Sequence, residues 1–459
     1  MNQAEKVNQI LSLVKDYITE KRESEKWVKG EDWVNYSGPH FTSDEYTSAI
    51  EILLSEWLIF GKKARDFELE FPKHLGKKHG VLTNSGSSAN LLMAHIFKSK
   101  QTFMKKYFMP TGSKFITPVV CFPTTINPMI QAGYEPVFVD VDLPSMNLNL
   151  DEVESALEAD PSIRAITFAH VLGNPPDMER LMSLVEKYDL IFLEDSCDAL
   201  GSFYDGKRLG SFGLVSTCSF FPAHHMTMGE GGFTATDEPR IRRVLASLRD
   251  WGRACYCNEK KPGDVTSGTA CGDRFREWLS DGKSKVVYDH RYVFDEIGFN
   301  TKPLDLQAAM GLHQLEKLPE MDLARRNNFK KLKTSFSKYE DYFMLPEATE
   351  KADPCWFGFA LTVKDNDIFV KQDLVSYFEK NKIQTRSYFT GNCLYHPAYR
   401  EYAEKYGEDY GDLVTRFPNA DIITKNTFFL GTYIGLTTEK LDYIGEVLDN
   451  FFVEQGIQK

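Results

Sequence analysis

The chain has 459 residues, of which 42% are hydrophobic and 26% are charged, the composition of a folded globular protein. Its formal net charge of -12 argues against a nucleic acid as the main partner, because such a partner requires a basic surface. The polar N-terminal stretch lacks the apolar core of a signal peptide. The sequence contains no run of about 18 consecutive apolar residues, so no membrane span is expected.

The middle of the chain alternates between short apolar strands and amphipathic helices. Strands are expected at 114–120, 136–142, 165–172, 190–196 and 215–221. Between them lie helix-like segments, for example at 150–160 and 176–189. Continuous apolar strands separated by helices predict an α/β fold, in which helices cover both faces of a mostly parallel sheet.

The pattern changes after Pro303. A long helical stretch at 304–339 is followed by a strand at 356–365 and by helices at 368–381 and 439–452. This order predicts a smaller C-terminal α+β domain. We therefore expect a large domain over residues 1–320 and a small domain over residues 321–459.

Two short motifs place polar residues at the ends of predicted strands. TNSGSSAN (83–90) precedes a helix-like segment, so its small residues and hydroxyls could bind an anion or simply cap the helix. In LEDSCDAL (193–200), Asp195 ends an apolar strand, where parallel-sheet enzymes bind ligands. That carboxylate could keep the pyridine nitrogen of a cofactor protonated, or it could cap the following turn.

A third motif, SFFPAHHMTMGEGG (219–232), completes a family pattern. The sequence resembles the sugar aminotransferase family named after DegT and StrS. Its members carry a Gly-Ser/Thr phosphate turn, an Asp after an apolar strand, and Ser-Phe-x-x-x-Lys followed by a Gly-acidic-Gly-Gly turn. Residues 298–318, which begin GFNTK, also resemble the family's Gly-Tyr-Asn-x-Arg helix start. The resemblance covers nearly the whole chain and implies a fold-type I aminotransferase-like fold with a pyridoxal or pyridoxamine phosphate cofactor (PLP or PMP).

One departure from the family pattern decides the predicted chemistry. The family's Schiff-base lysine falls at position 224, which is His224. Imidazole cannot bind the cofactor covalently in this way, but it can act as a base at neutral pH. The same replacement characterises PMP-dependent sugar 3-dehydratases, so we expect His224 to be the catalytic base. A neutral structural histidine is the alternative, and for His225 the alternatives are a substrate contact and a packing role.

Four of the eight cysteines resemble a metal-ligand set. Cys197, Cys255, Cys257 and Cys271 are similar to the set that holds a 2Fe–2S cluster in the CDP-4-keto-6-deoxyglucose 3-dehydrase subgroup, although the last gap is longer here. Thiolates also bind zinc, and the absence of any metal is a further alternative. Cys197 lies at most about 7 Å along the chain from Asp195, and a metal beside the cofactor favours electron transfer.

The resemblance assigns further roles by position. Gly86, Ser87 and Ser88 match the phosphate turn, Phe122 matches an aromatic residue that stacks on the pyridine ring, and Ser219 begins the third motif. Asn300 matches a residue that reaches the phosphate site of the neighbouring subunit, which implies a homodimer. The weaker substrate candidates are Asp198, His225, Arg386 and His396, and packing or surface roles remain open for the last three.

The resemblance implies C3 dehydration of a nucleotide-linked 4-keto-6-deoxyhexose, with CDP-4-keto-6-deoxy-D-glucose as the expected substrate. His224 would remove a proton from the cofactor's methylene carbon, Asp195 would keep the ring protonated, and the C3 hydroxyl would leave. A flavin- and ferredoxin-type reductase would supply two electrons through the cluster. The alternatives are a cluster-free, colitose-type GDP-sugar 3-dehydratase, a sugar aminotransferase and a non-catalytic relative.

The expected compartment is reducing. A long chain with few cysteines and no recognisable secretory signal is typical of such a compartment, so we predict a cytoplasmic enzyme. The expected pathway is dideoxysugar biosynthesis for the lipopolysaccharide O-antigen. Neither a nucleic acid nor a membrane is an expected partner.

Overall fold

A computed structural model describes residues 1–255, 274–407 and 409–457. Its α-helices are α1 (Gln3–Ser24), α2 (Ser43–Leu54), α3 (Lys62–Glu70), α4 (Gly86–His95), α5 (Pro123–Gln131), α6 (Leu150–Ala159), α7 (Met178–Lys187), α8 (Pro239–Arg249), α9 (Asp305–Ser337), α10 (Lys371–Lys380), α11 (Arg400–Ala403), α12 (Tyr410–Arg416), α13 (Pro418–Asn426) and α14 (Thr438–Glu454). None of the helices in these ranges combines the length and the apolar character that crossing a membrane requires.

The β-strands of the same residues are short. They are β1 (His79–Thr83), β2 (Lys114–Pro118), β3 (Glu135–Val139), β4 (Ile163–Ala169), β5 (Ile191–Asp195), β6 (Phe203–Tyr204), β7 (Lys207–Arg208), β8 (Val215–Ser219), β9 (Gly232–Thr236), β10 (Phe275–Ser280), β11 (Lys285–Asp289), β12 (Phe343–Met344), β13 (Ala352–Asp353), β14 (Gly358–Val363), β15 (Arg386–Ser387) and β16 (Thr427–Gly431).

A seven-stranded sheet forms the centre of the molecule, in the order β1-β9-β8-β5-β4-β2-β3. Strands β3, β2, β4, β5 and β8 run parallel, and β9 is antiparallel to both β8 and β1. The carboxyl ends of β1, β5 and β8 therefore lie at the same edge of the sheet. The five strands expected from the sequence correspond to β2, β3, β4, β5 and β8, which confirms the predicted mostly parallel sheet.

Helices cover both faces of this sheet. The neighbouring β2 residues Phe115 and Ile116 are fully buried but belong to different hydrophobic clusters, because successive side chains of a strand point to opposite faces. The cluster of Phe115 includes Leu92 of α4, and the cluster of Ile116 includes Val153 of α6. Burial on both faces explains why these strands are continuously apolar in the sequence.

The C-terminal part of the chain forms a second, four-stranded sheet in the order β12-β14-β16-β15. Its core contains Phe336 of α9, Phe359 of β14 and Phe428 of β16. Helix α9 continues through Pro319 and residue 320, so a single helix crosses the point at which the sequence predicted a domain boundary. The division into residues 1–320 and 321–459 remains a prediction.

Candidate active site

A cavity of about 710 Å³ adjoins the carboxyl ends of β5 and β8. This is the edge at which open parallel sheets bind ligands, and the volume suits a small-molecule site. The predicted site residues that line it are Gly86, Ser87, Phe122, Asp195, Cys197, Asp198, Ser219, His224 and Arg386. The described residues Ser88, His225, Cys255, Asn300 and His396 do not line it, and Cys257 and Cys271 lie outside the described residues.

Asp195 is the buried carboxylate at the base of the cavity, and it is only 3% exposed. Its Oδ2 accepts hydrogen bonds from Asn90 Nδ2 at 2.8 Å and from Thr125 Oγ1 at 2.8 Å. Its Oδ1 accepts one from the Cys197 backbone N–H at 3.1 Å. An ionised carboxylate has about four acceptor positions, so one remains for a protonated ring nitrogen in the cavity.

The orientation of Asn90 is itself fixed. Thr217 of β8 donates its hydroxyl to Asn90 Oδ1 at 2.6 Å, and this leaves the amide nitrogen to face Asp195. Sequence reasoning assigned no role to Asn90 or Thr125. Asn90 ends the TNSGSSAN motif one helical turn after Gly86, so the sequence could predict that both residues lie on the same face of α4. The sequence could not predict that Asn90 binds Asp195.

The turn between β1 and α4 forms an anion-binding site. Ser85 caps α4, because its hydroxyl accepts from the Ser88 backbone N–H at 3.1 Å. The backbone N–H groups of Gly86 and Ser87 begin the helix and have no partner within it, so they can bind a phosphate. A Cβ atom at Gly86 would lie 2.4 Å from Ser219 Cβ, so only glycine allows the end of β8 to approach this turn so closely.

Phe122 provides an aromatic surface beside these groups. It precedes α5 and lines the cavity, and it is 50% exposed. Its ring meets the ring of Phe389 edge to face, with a centroid separation of 6.1 Å. The exposed face of Phe122 can therefore stack on a planar ring in the cavity.

His224 lies in the loop between β8 and β9 and presents its ring to the cavity. Its Nδ1 is 3.4 Å from Asp198 Oδ1, which is ion-pair distance, although the two atoms are not aligned as a hydrogen bond. The ring of Phe357 packs beside it at 5.4 Å between centroids. Among the described residues that line the cavity there is no lysine, so the basic nitrogen beside Asp198 belongs to an imidazole.

Two side chains from distant parts of the chain hold the backbone of this loop. Ser37 donates its hydroxyl to the carbonyl oxygen of Ala223 at 2.7 Å. Arg325 of α9 is only 2% exposed, and its guanidinium donates at 3.1 Å to the carbonyl oxygens of both His224 and Phe357. No feature of the sequence predicted that Ser37 or Arg325 would bind this loop.

His225 points away from the cavity. It is 2% exposed, and its Nε2 lies 2.7 Å from the carbonyl oxygen of Cys355. A carbonyl can only accept, so Nε2 carries the hydrogen. Burial, with a further contribution from the Arg325 guanidinium, holds the pKa of His225 well below its usual value. His225 is thus a neutral residue that fixes the loop from behind.

The remaining substrate and subunit candidates occupy different places. Arg386 lines the cavity, and its guanidinium lies 4.0 Å from the centre of the Tyr36 ring. His396 is exposed, and one of its ring nitrogens lies 3.0 Å from a backbone carbonyl. Asn300 is also exposed and pairs with Asp250 in an isolated β-bridge. Its predicted contact is with a second copy of the chain and remains a prediction.

The two predicted ligand cysteines in the described ranges, Cys197 and Cys255, line different cavities. Cys197 lines the site cavity, where burial and the nearby Asp195 carboxylate raise the pKa of its thiol. Cys255 lines a separate, smaller cavity. Within the described residues no group of three or more potential metal ligands occurs, and Cys257 and Cys271 fall beyond them. The iron–sulfur cluster therefore remains a prediction.

Comparison with known proteins identifies close sequence relatives. Lipopolysaccharide biosynthesis protein RfbH of Salmonella typhimurium is 39% identical over 97% of this chain and 97% of that protein. The dTDP-4-dehydro-2,6-dideoxy-D-glucose 3-dehydratase of Saccharopolyspora spinosa is 39% identical over 98% of this chain and 93% of that enzyme. GDP-4-keto-6-deoxy-D-mannose 3-dehydratase of Escherichia coli O55:H7 is 31% identical over 90% of this chain and 100% of that enzyme.

Solved structures show the same fold. The E. coli GDP-4-keto-6-deoxy-D-mannose 3-dehydratase with bound hydrated PLP has a TM-score of 0.74 and 28% identity, covering 91% of this chain and 99% of that chain. A variant of GDP-4-keto-6-deoxymannose-3-dehydratase with bound GDP-perosamine also has a TM-score of 0.74, covering 91% of this chain and 100% of that chain. A model of the DegT/DnrJ/EryC1/StrS aminotransferase family matches residues 39–449. The chain therefore belongs to the DegT/DnrJ/EryC1/StrS aminotransferase family.

Proposed function

We propose that this protein is a PMP-dependent nucleotide-sugar 3-dehydrase that removes the C3 hydroxyl of a nucleotide-linked 4-keto-6-deoxyhexose. The proposed substrate is CDP-4-keto-6-deoxy-D-glucose, and the proposed pathway is dideoxysugar biosynthesis for the O-antigen. The observation that carries the proposal is His224 at the family's lysine position, in a cavity whose described lining contains no lysine. The similarity to named 3-dehydratases and to a lipopolysaccharide biosynthesis protein supports it.

The cavity has the groups that a PLP-type cofactor needs. When bound, PMP supplies an amine that joins the C4 ketone and a pyridine ring that accepts electrons. Asp195 keeps the ring nitrogen protonated, while its contacts with Asn90 and Thr125 hold the carboxylate in place. The N–H groups at the start of α4 bind the phosphate, and Phe122 stacks on the ring face.

His224 is the proposed base. One of its ring nitrogens takes a proton from the methylene carbon of the cofactor, and Asp198 stabilises the positive charge that the imidazole gains. Because Asp198 lies beside the proposed base in the cavity, we also propose that it influences substrate specificity. A lysine would bind the cofactor covalently and complete transamination by moving the proton to a second carbon. Imidazole lacks the covalent route, so loss of the C3 hydroxyl is favoured.

Arg386 is the proposed contact for the nucleotide diphosphate. It is the one guanidinium among the described residues that line the cavity, and its neighbour Tyr36 limits its movement. A guanidinium binds phosphate oxygens through two parallel hydrogen bonds. His396 is a weaker proposed substrate contact, since it lies outside the cavity lining of a single chain.

The 3-deoxy product requires two electrons after loss of water. We propose that Cys197, Cys255, Cys257 and Cys271 hold a 2Fe–2S cluster and that a flavin- and ferredoxin-type reductase supplies the electrons one at a time. We also propose a homodimer, in which Asn300 reaches the phosphate site of the other subunit.

A cluster-free 3-dehydratase is the second candidate function. The 31% identity to an E. coli GDP-4-keto-6-deoxy-D-mannose 3-dehydratase, over its whole length, favours this reading. Such an enzyme would act without a reductase and would regenerate PMP from glutamate.

The test is turnover of CDP-, GDP-, dTDP- and UDP-linked 4-keto-6-deoxyhexoses with PMP, with and without a reductase, together with iron analysis. The proposal expects a 3-deoxy product from the CDP sugar only when the electron donor is present, and about two iron atoms per chain. An active, iron-free protein that uses glutamate would establish the second candidate instead. A 4-amino sugar as the product would identify a sugar aminotransferase.

A further inference from the structure

Phe389 is a residue of the site cavity to which the proposed dehydration gives no role. It lies two residues after β15 and lines the cavity. Its backbone φ of +47° falls in the left-handed region, which a residue with a bulky side chain rarely adopts. Such a conformation is costly and persists only where the surrounding structure enforces it, most often at a functional site. The backbone strain at Phe389 therefore points to a function for its ring in the cavity.

The chain is held on both sides of Phe389. Before it, β15 pairs with β16 in the second sheet. After it, the Thr390 hydroxyl donates to the carbonyl oxygen of Cys121 at 2.7 Å, immediately before Phe122. The loop therefore connects the second sheet to the segment that carries the proposed cofactor-stacking ring, and these contacts hold Phe389 between the two.

The Phe389 ring belongs to a row of aromatic side chains along the cavity. It meets the Phe122 ring at 6.1 Å and the Phe429 ring at 5.8 Å between centroids, and we call these three rings the aromatic row. Phe429 is the cross-strand partner of Arg386, and both contact the Tyr36 ring. The aromatic row thus runs from the proposed cofactor-stacking ring to the proposed diphosphate contact.

The proposed function places the hexose along the aromatic row. A hexose that joins the cofactor at C4 and carries its diphosphate on C1 lies between the cofactor-stacking ring and the diphosphate contact, as Phe389 does. The C3 hydroxyl, which leaves, belongs beside His224. Two further aromatic rings separate the imidazole of His224 from the ring of Phe389. Because C5 and its methyl group C6 lie on the other side of C4 from C3, they fall towards Phe389.

We propose, on the basis of the proposed function, that Phe389 is a specificity-determining residue that contacts the C6 methyl group of the hexose, together with Phe122 and Phe429. A methyl group gains free energy when aromatic carbon replaces the water around it. A hydroxyl on C6 would lose its water there, and burial without hydrogen-bond partners lowers affinity about 10–100-fold. The aromatic row therefore selects 6-deoxyhexoses over hexoses that keep the C6 hydroxyl.

The test measures the affinity of PMP-loaded protein for matched pairs of nucleotide sugars by isothermal titration calorimetry. Each pair consists of the 6-deoxyglucose and the glucose derivative of one nucleotide, which is CDP, GDP, dTDP or UDP. Neither sugar has a C4 ketone, so binding is measured without reaction. In each series that binds, we expect the 6-deoxy sugar to bind about 10–100-fold more tightly. Equal affinity for the two sugars would overturn the proposal.

Phe389→Asn tests the residue itself. Asparagine tolerates the left-handed backbone conformation and offers an amide to a C6 hydroxyl, so we expect the preference for the 6-deoxy sugar to disappear or reverse. Phe389→Leu keeps an apolar side chain and should retain a preference. Phe221→Asn is the matched control, because the Phe221 ring also lines the cavity but lies beside His224. In that control the ratio of the two affinities should stay unchanged, even where both affinities fall.

A preference that survives in Phe389→Asn would contradict the proposal, as would an equal loss of preference in the Phe221→Asn control. If Phe389→Asn weakens both sugars in equal proportion, the role of Phe389 is structural and the proposal is wrong. The measurement does not involve turnover. A protein that prefers the 6-deoxy sugar but does not dehydrate its 4-keto derivative would therefore refute the proposed function alone, whereas a protein that binds none of the pairs would refute both.

Discussion

The two halves of the candidate site are positioned by different parts of the chain. In the cofactor half, Asp195 and Gly86 lie at or just beyond the ends of β5 and β1, and the sheet itself brings them together. In the base half, His224 lies in a loop whose backbone is held by Ser37 and Arg325, 186 and 101 residues from their partners in sequence. The difference teaches that a motif can identify a catalytic residue without revealing what orients it.

Replacing the base should have the largest effect. His224→Asn removes the proton acceptor but keeps a side chain of similar size, so we expect C3 dehydration to fall about 10²–10⁴-fold. PMP should still bind, because Asp195 and the turn before α4 are unchanged. Measuring the cofactor absorbance and the initial rate on the same sample distinguishes a loss of catalysis from a loss of cofactor binding. Dehydration at the original rate would reject His224 as the base.

Replacing the carboxylate of the cofactor half should have the next largest effect, and on binding as well as rate. Asp195→Asn loses a charge-assisted hydrogen bond to the ring nitrogen, so we expect cofactor affinity to fall about 10–100-fold. Thr125→Val is the matched control, because it keeps the carboxylate and removes only one donor to it. Its effect should be smaller. Equal affinity in Asp195→Asn and the unsubstituted protein, by absorbance titration, would contradict the proposed contact.

Much of the cofactor half could be predicted from the sequence, because its signals are local. An apolar strand followed by Asp195, and a small-residue turn followed by a helix, specify strand ends that a parallel sheet places at one edge. The strands expected at 114–120 and 190–196 correspond to β2 and β5, within a few residues. Continuous apolar runs predict such strands well, since both faces are buried.

The base half and its surroundings could not be predicted in the same way. The contacts of Arg325 depend on how α9 packs against β14 and the His224 loop, and nothing in the local sequence marks a buried arginine as a positioning residue. His225 shows the same limit. It follows His224 directly, yet it turns to a backbone carbonyl behind the cavity. Adjacent positions in a loop do not share a face as they do in a regular strand or helix.

Replacing the remote support should have an intermediate effect that is confined to the base half. Arg325→Lys keeps a buried positive charge but cannot reach the carbonyls of both His224 and Phe357, so we expect kcat to fall about 10-fold. Cofactor affinity and KM should change little. Arg325→Met should lose more activity and stability than Arg325→Lys, because acceptors are then left unpartnered. A parallel loss of cofactor affinity would show that Arg325 supports both halves alike.

The smallest expected effect concerns the stability of the same support. Asp322 precedes Arg325 by one helical turn, and burial raises the pKa of its carboxyl to about 6, despite a hydrogen bond from the Cys355 thiol and the nearby Arg325 guanidinium. The folded protein therefore binds this proton more tightly than the unfolded chain, whose carboxyl titrates near 3.8. Between these pH values the folded state binds more protons, so the free energy of unfolding falls as pH rises.

Asp322→Asn removes that titration while keeping an oxygen that accepts from Cys355. We expect the variant to gain about 1–3 kcal/mol in the free energy of unfolding at pH 7, since ionisation of a largely buried carboxylate no longer costs stability. Below about pH 3 the carboxyl is protonated in both states, and the gain should vanish. Urea unfolding of both proteins at pH 3 and pH 7 measures the difference. A gain of equal size at both pH values would show that packing, and not the buried charge, limits the stability of the region behind His224.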